Sequence, residues 1–237
     1  LHLLSRRQRQ MCIRDRKYSA ILFDFDGTLL ESGPCIIRTL RRTLRELGFD
    51  QLAAWSDAQL RPMVGPPLRE GFSAYMGLPE EYVDRAIQVY RSHADDPAVL
   101  SLLRPYPGIP DMLRTLREKG CKLAIATAKH NSVSTLHLKQ AGLDQLVDYL
   151  SATKTDQGCD KAQLIREALA ALGASPSEAV MVGDRLYDMD AARQVGIPGI
   201  GVLYGYGSRE ELEAHGASCI VESVEQLQRL LTEQEDL

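Results

Sequence analysis

The runs "SAILFDF" (19–25), "KLAIATA" (122–128) and "EAVMVGD" (178–184) constrain this chain more than any other feature. Each is nearly continuous in apolar residues and lacks the polar alternation of a half-exposed strand. Strands buried on both faces of a parallel sheet read this way. "IPGIGVLYG" (197–205) and "SCIV" (218–221) extend the series, and "VDYLSA" (147–152) is a weaker member between the second and third runs. Helical periods fall between them, at 109–120 and 160–173, each closing on a glycine suited to a helix end, and at 188–196. "KLAIATA" is followed by what reads as polar loop. Strand and helix alternate from residue 105 onward. That order predicts an α/β chain with a Rossmann-like, doubly wound parallel sheet and helices on both faces.

Residues 34–104 break the alternation. "CIIRTLRRTLRELG", "PPLREGFSAYMG" and "PEEYVDRAIQVYRSHA" are helical in period, and no strand pattern appears among them. The prediction is a small α-helical cap domain inserted after the first strand, with the proline-rich "LRPYPGIP" (103–110) as the return linker. The expected division is a core of 18–33 and 105–237 with a cap of 34–104. A chain of 237 residues, 44% apolar and 25% charged, can bury a core of that size. No apolar run approaches the ~20 residues that cross a bilayer, so no membrane partner is expected.

Residues 1–17 carry six of the chain's 28 basic residues and one of its 32 acids, which leaves 22 against 31 in the body. An acidic body argues against nucleic acid as a partner. The short apolar stretch in 1–17 does not suit a secretory leader. The stretch is expected to be a non-native or disordered tail, and "QMCIRDR" has the look of a translated sequencing adapter. Five scattered cysteines without a CxxC pair speak against a disulfide framework or structural zinc and for a reducing, cytoplasmic setting.

Two acids interrupt the first apolar run. In "ILFDFDGTLL", Asp24 and Asp26 stand two apart, and Gly27 and Thr28 follow. Ionised carboxylates are costly to bury without compensation. Ligands of open parallel sheets bind at the carboxyl ends of strands. Residues i and i+2 share a strand face, so both acids can meet one ligand if the strand runs through them. A turn-and-cap pair is the plain alternative. A calcium loop is rejected, because the sixth position counted from Asp24 is Leu29 rather than glycine. "VGDRLYD" adds Asp184 and Asp188, either a cation site or a helix cap with a first-turn acid. Thr127 ends a second strand and can receive a phosphoryl oxygen at a helix start, or simply cap that helix. Lys161 opens a helix, as a site cation or as a solvated lysine, and Lys129 and Lys154 compete for the same role. Taken together, carboxylates, a threonine and a lysine at several strand ends are what phosphoryl transfer requires.

The order DFDGT, Thr127, Lys161, GDRLYD resembles the haloacid dehalogenase superfamily of phosphohydrolases, and the helical insertion resembles its subgroup with a helical cap. "VGPPL" (64–68) and "GVLYGYGSREEL" (201–212) look like the phosphoglycolate phosphatase branch. The resemblance runs over residues 18–231. It implies Asp24 as nucleophile and Asp26 as the acid that protonates the leaving alcohol and then activates water; a proton carrier of that kind should have its carboxyl raised by burial or by a neighbouring acid. It implies Lys161 as the neutralising cation. Thr127 and Ala128, with Gly27 and Thr28, would receive the phosphoryl group. Asp24, Asp184, Asp188 and the Asp26 carbonyl would hold Mg2+. Gly65, Pro66, Arg69 and Lys129 are the positions that could meet the rest of a small phosphorylated metabolite. Relatives often carry Asn or Ser where this chain has Ala128, and proline where it has Ala162. A monomer or a homodimer is expected. The alternatives are a 5'-nucleotidase or pyrophosphatase of the same family, a sugar-phosphate mutase, and a binding module without catalysis.

Overall fold

The computed structural model describes residues 18–155 and 160–232. The proposed tail, residues 1–17, lies outside the described residues. Six strands form one parallel sheet: β1 Ala20–Phe23, β2 Lys122–His130, β3 Tyr149–Thr153, β4 Ala179–Gly183, β5 Gly199–Val202 and β6 Cys219–Val221. Their order is β3-β2-β1-β4-β5-β6. The chain winds outward from β1 through β2 to β3, then returns to pair β4 on the other flank of β1. That reversal is a topological switch point, the place where open α/β sheets bind ligands.

Alternation within β1 explains its double burial. Ile21 and Phe23 enter one apolar cluster with Leu113, Leu116 and Leu227, while Ala20 and Leu22 enter a second with Ile165, Leu169 and Ala191. The first cluster is covered by helices Ile109–Glu118 and Val224–Thr232, the second by Lys161–Leu172 and Leu186–Val195. Numbered along the chain, the principal helices are α1 Gly33–Glu46, α2 Glu80–Ser92, α3 Ile109–Glu118, α4 Asn131–Gln140, α5 Lys161–Leu172, α6 Leu186–Val195, α7 Arg209–Ala214 and α8 Val224–Thr232.

Helices α1 and α2, with short helical turns between them, bury a third cluster of their own around Leu40, Leu44, Phe72, Val83 and Ile87. Trp55 packs edge-on to Tyr75 there, with ring centres 6.0 Å apart. Among the described residues, no helix is long and apolar enough to cross a membrane.

Three local readings need correction. β1 ends at Phe23, before either acid. The stretch after "KLAIATA" is not loop: β2 continues to His130 through an irregularity after Thr127, and α4 follows at once. "PPLREGFSAYMG" is not one regular helix. A single α-turn, Leu68–Glu70, widens into a π-turn at Gly71–Tyr75, where Gly71 packs so close to Met63 that a Cβ would overlap it.

Candidate active site

Register brings the polar groups together. Phe23 pairs with Ile125 on one side and Val182 on the other. One step beyond Phe23 is Asp24; two steps beyond its partners are Thr127 and Asp184. Three adjacent strands therefore release these polar side chains at one edge. Asp24 stays tied to the sheet, its amide donating to the Val182 carbonyl at 2.8 Å. The chain then turns sharply. The amides of Leu29 and Leu30 both donate to the Phe25 carbonyl, and Gly27 takes φ +88°, which glycine alone accepts without strain. A Cβ on Gly27 would overlap the Asp184 carboxyl.

Asp24 accepts from the Lys161 ammonium at 2.7 Å, and the same ammonium pairs with Asp188. Lys161 stands at the first turn of α5, whose N-cap Asp160 accepts from the Gln163 amide at 3.0 Å. Burial alone would lower the lysine's pKa; Asp188 and Asp24 outweigh it and hold the ammonium charged, well above its usual range. Asp188 approaches through Gly183, where a side chain would overlap its carboxyl, and accepts from the Arg185 amide at 3.1 Å. Asp184 accepts from the Tyr206 amide at 2.8 Å and from the Thr28 hydroxyl at 3.4 Å.

Asp24, Asp184 and Asp188 each place one carboxylate oxygen within 4.8 Å of the others, and all three are buried. Lys161 cancels one of their three charges. Burial raises the Asp24 and Asp184 carboxyls above their usual range; the neighbouring acids raise them further, while Lys161 draws Asp24 part of the way back. A buried cluster of hard oxygen donors with excess negative charge fits a Mg2+ ion.

Asp26 differs from the sequence expectation. Its carboxylate lies outside that cluster and is held by the Lys129 ammonium at 2.8 and 3.0 Å. Burial would raise its pKa, but the Lys129 ion pair prevails and the net shift is downward. A raised Asp26 is therefore not what this arrangement produces.

Thr127 is buried inside β2, not at a helix start, and its hydroxyl oxygen accepts from the Lys129 amide at 3.2 Å. Its own O–H remains available as a donor. A cleft opens between sheet edge and helical layer. Asp24, Asp26, Thr127, Ala128 and Lys129 line the sheet side; Gly65, Pro66, Arg69, Met63, Ile87 and Tyr90 line the other. Gly27 and Thr28 pack against Asp184 instead of lining this cleft. Arg69 reaches the cleft while pairing with Glu80 and Asp84. Lys154 is exposed. Sequence reasoning passed over Arg185 and read Tyr206 only as a pocket wall or a turn, whereas their amides hold Asp188 and Asp184. Arg185 sits inside the "GDRLYD" motif and Tyr206 between two glycines, which were the available signals.

A parallel α/β scaffold with a carboxylate centre at its switch point defines the class. The family is equally plain: the model of haloacid dehalogenase-like hydrolases matches residues 21–202, and the chain belongs to that family. It is 32% identical over 216 residues to the pyrophosphatase PpaX of Anoxybacillus flavithermus, covering 90% of this chain and 96% of that protein. It is also 32% identical over 200 residues to a 5'-nucleotidase of Pseudomonas aeruginosa, covering 84% and 89%. The crystal structure of a predicted phosphatase from Clostridium acetobutylicum superposes with a TM-score of 0.84 at 33% identity, covering 92% of this chain and 99% of that one.

Proposed function

We propose that this chain is a magnesium-dependent phosphatase that hydrolyses a small phosphorylated metabolite through an aspartyl-phosphate on Asp24. The observation that carries the reading is Asp24 itself. It stands at the cleft, bonded to a buried lysine and facing two further buried acids. In the first step an Asp24 oxygen forms a bond to phosphorus, the bond from phosphorus to the leaving oxygen breaks, and Asp26 supplies that oxygen with a proton. In the second step Asp26 takes a proton from water, whose oxygen bonds to phosphorus as the aspartyl–phosphorus bond breaks. Thr127 donates to a phosphoryl oxygen, and Lys161 offsets charge on Asp24. Asp24, Asp184, Asp188 and the Asp26 carbonyl would hold Mg2+, which when bound neutralises charge between nucleophile and phosphate.

The Lys129 pair keeps Asp26 ionised until substrate arrives. An anionic substrate competes for that ammonium. Once Lys129 turns to the substrate, burial dominates at Asp26 and favours the protonated form that the first step needs. Residues 34–104 act as a cap, closing apolar side chains over the cleft so that water is excluded.

Phosphoglycolate is the first substrate to try, on the resemblance carried by "VGPPL" and "GVLYGYGSREEL". Pyrophosphate and 5'-nucleotides come next, from the names of the relatives. Asp24→Asn should abolish hydrolysis of p-nitrophenyl phosphate, and EDTA should silence the wild type until Mg2+ is restored. Undiminished turnover by either preparation overturns the reading.

A further inference from the structure

We infer that Tyr206 and Arg185 are positioning residues that tie the placement of the cap to the two cation-side acids, Asp184 and Asp188. The inference rests on the proposed function and goes beyond it. Each of the two acids is held by the backbone amide of a residue whose side chain engages the cap or its hinge. The Tyr206 amide donates to Asp184 at 2.8 Å, and the Arg185 amide donates to Asp188 at 3.1 Å.

The Tyr206 side chain meets the hinge twice. Its hydroxyl accepts from the Gly33 amide at 2.6 Å, where the chain leaves the core, and hydrogen-bonds with Tyr106, where the chain returns. Its ring receives the Arg61 guanidinium from the cap at 5.2 Å, and the same guanidinium donates to the Gly205 carbonyl at 3.0 Å. The Arg185 side chain reaches the other way. One nitrogen donates to the Val64 carbonyl of the cap at 2.7 Å, and Nε donates to Glu211 at 2.9 Å. Glu211 also accepts from the Leu186 amide at 2.8 Å, which fixes the start of α6.

The loop has little room to absorb a displacement. A Cβ on Gly205 would crowd the Gly27 carbonyl and the Asp184 side chain, and one on Gly207 would overlap the Asp184 carbonyl. Movement of Arg61 or of the hinge is thus passed to the Tyr206 amide and from there to Asp184. Coupling between two sites is reciprocal. If a seated cap improves the geometry of Asp184 and Asp188, cation binding must favour the seated cap by the same factor.

The test uses the full chain with Arg61→Ala, Arg61→Lys and Tyr206→Phe. Arg61 touches none of the three acids, and Tyr206→Phe keeps the amide and the ring. MgCl2 is titrated calorimetrically in the absence of substrate. The expected result is a rise in the magnesium dissociation constant of about fivefold or more for Arg61→Ala and Tyr206→Phe, with partial recovery in Arg61→Lys. In the wild type, Mg2+ should slow hydrogen exchange at the Gly33 amide, and Tyr206→Phe should remove that effect. Wild-type magnesium affinity in both Arg61→Ala and Tyr206→Phe, or Gly33 exchange indifferent to Mg2+ in the wild type, overturns the coupling alone. A wild type that binds no Mg2+ overturns the proposed function and the coupling with it. Circular dichroism confirms that each variant is folded, and the conservative Tyr206→Phe decides the matter should Arg61→Ala not fold.

Discussion

Asp26 and Lys129 are both buried, with side chains 12% and 10% exposed. A buried ion pair is a poor source of stability as a pair, but removing one partner leaves the other largely buried group without its compensating charge. Lys129→Met should therefore destabilise the fold by about 3 kcal/mol, read from urea unfolding. Adding Asp26→Asn should recover part of that loss; strict additivity would show that the pair carries no coupling. A second buried group near this pair has a pH signature. His137 is 3% exposed, and its Nε2 faces the Ala94 carbonyl at 3.4 Å. Burial disfavours the imidazolium and Lys129 disfavours it further, so the folded-state value falls to about 3, against the opposing pull of Asp26. An unfolded histidine takes its proton below about pH 6.5. Stability from the neutral imidazole is thus complete above that pH and is lost as pH falls toward 3. The difference in unfolding free energy between wild type and His137→Gln should shrink steadily across that window. A difference flat with pH would show that His137 protonates freely when folded.

The elements were legible to the extent that burial on two faces left a pattern. All six strands could be read, because apolar runs in a parallel sheet need no alternation to be recognised. Helix α4 could not. "NSVSTLHLKQ" interleaves buried Ser134 and His137 with Val133 and Leu138, so its inner face is half polar and its apolar period vanishes. The same limit hid the fate of Asp26. Its partner Lys129 stands 103 residues away in sequence, and only the pairing of β2 with β1 brings its ammonium to 2.8 Å from the Asp26 carboxylate. Glycines at the site were legible as turns but not as close approaches. Gly183 is the sharpest case, since it sits in β4 where a side chain would overlap Asp188. Gly183→Ala should cost about 1–3 kcal/mol through overpacking. It should also weaken magnesium binding, because the carboxyl that gives way is a proposed ligand. Calorimetry with unchanged magnesium affinity would show that β4 shifts and Asp188 stays in place.

At the scale of the whole molecule, the switch point gathers more negative charge than the chain itself neutralises. Asp24 and Asp184 stand one residue past the ends of β1 and β4, and Asp188 lies in the first turn of α6, with α5 contributing only Lys161. In the unfolded chain Asp24 is far in sequence from the other two and water screens Asp184 from Asp188, so most of the surplus is a cost that folding incurs. A divalent cation bound by the folded state and not by the unfolded one removes that cost. The gain follows mass action, about 2.7 kcal/mol when free Mg2+ is a hundred times its dissociation constant. The wild type should therefore unfold at higher urea in MgCl2 than in NaCl of equal ionic strength, with no change in the denaturant slope. Asp184→Asn should lose most of the magnesium increment, because it removes a proposed ligand and one of the charges the ion would offset. A urea midpoint that responds to ionic strength but not to magnesium would mean that the three acids are compensated by Lys161 and by screening alone.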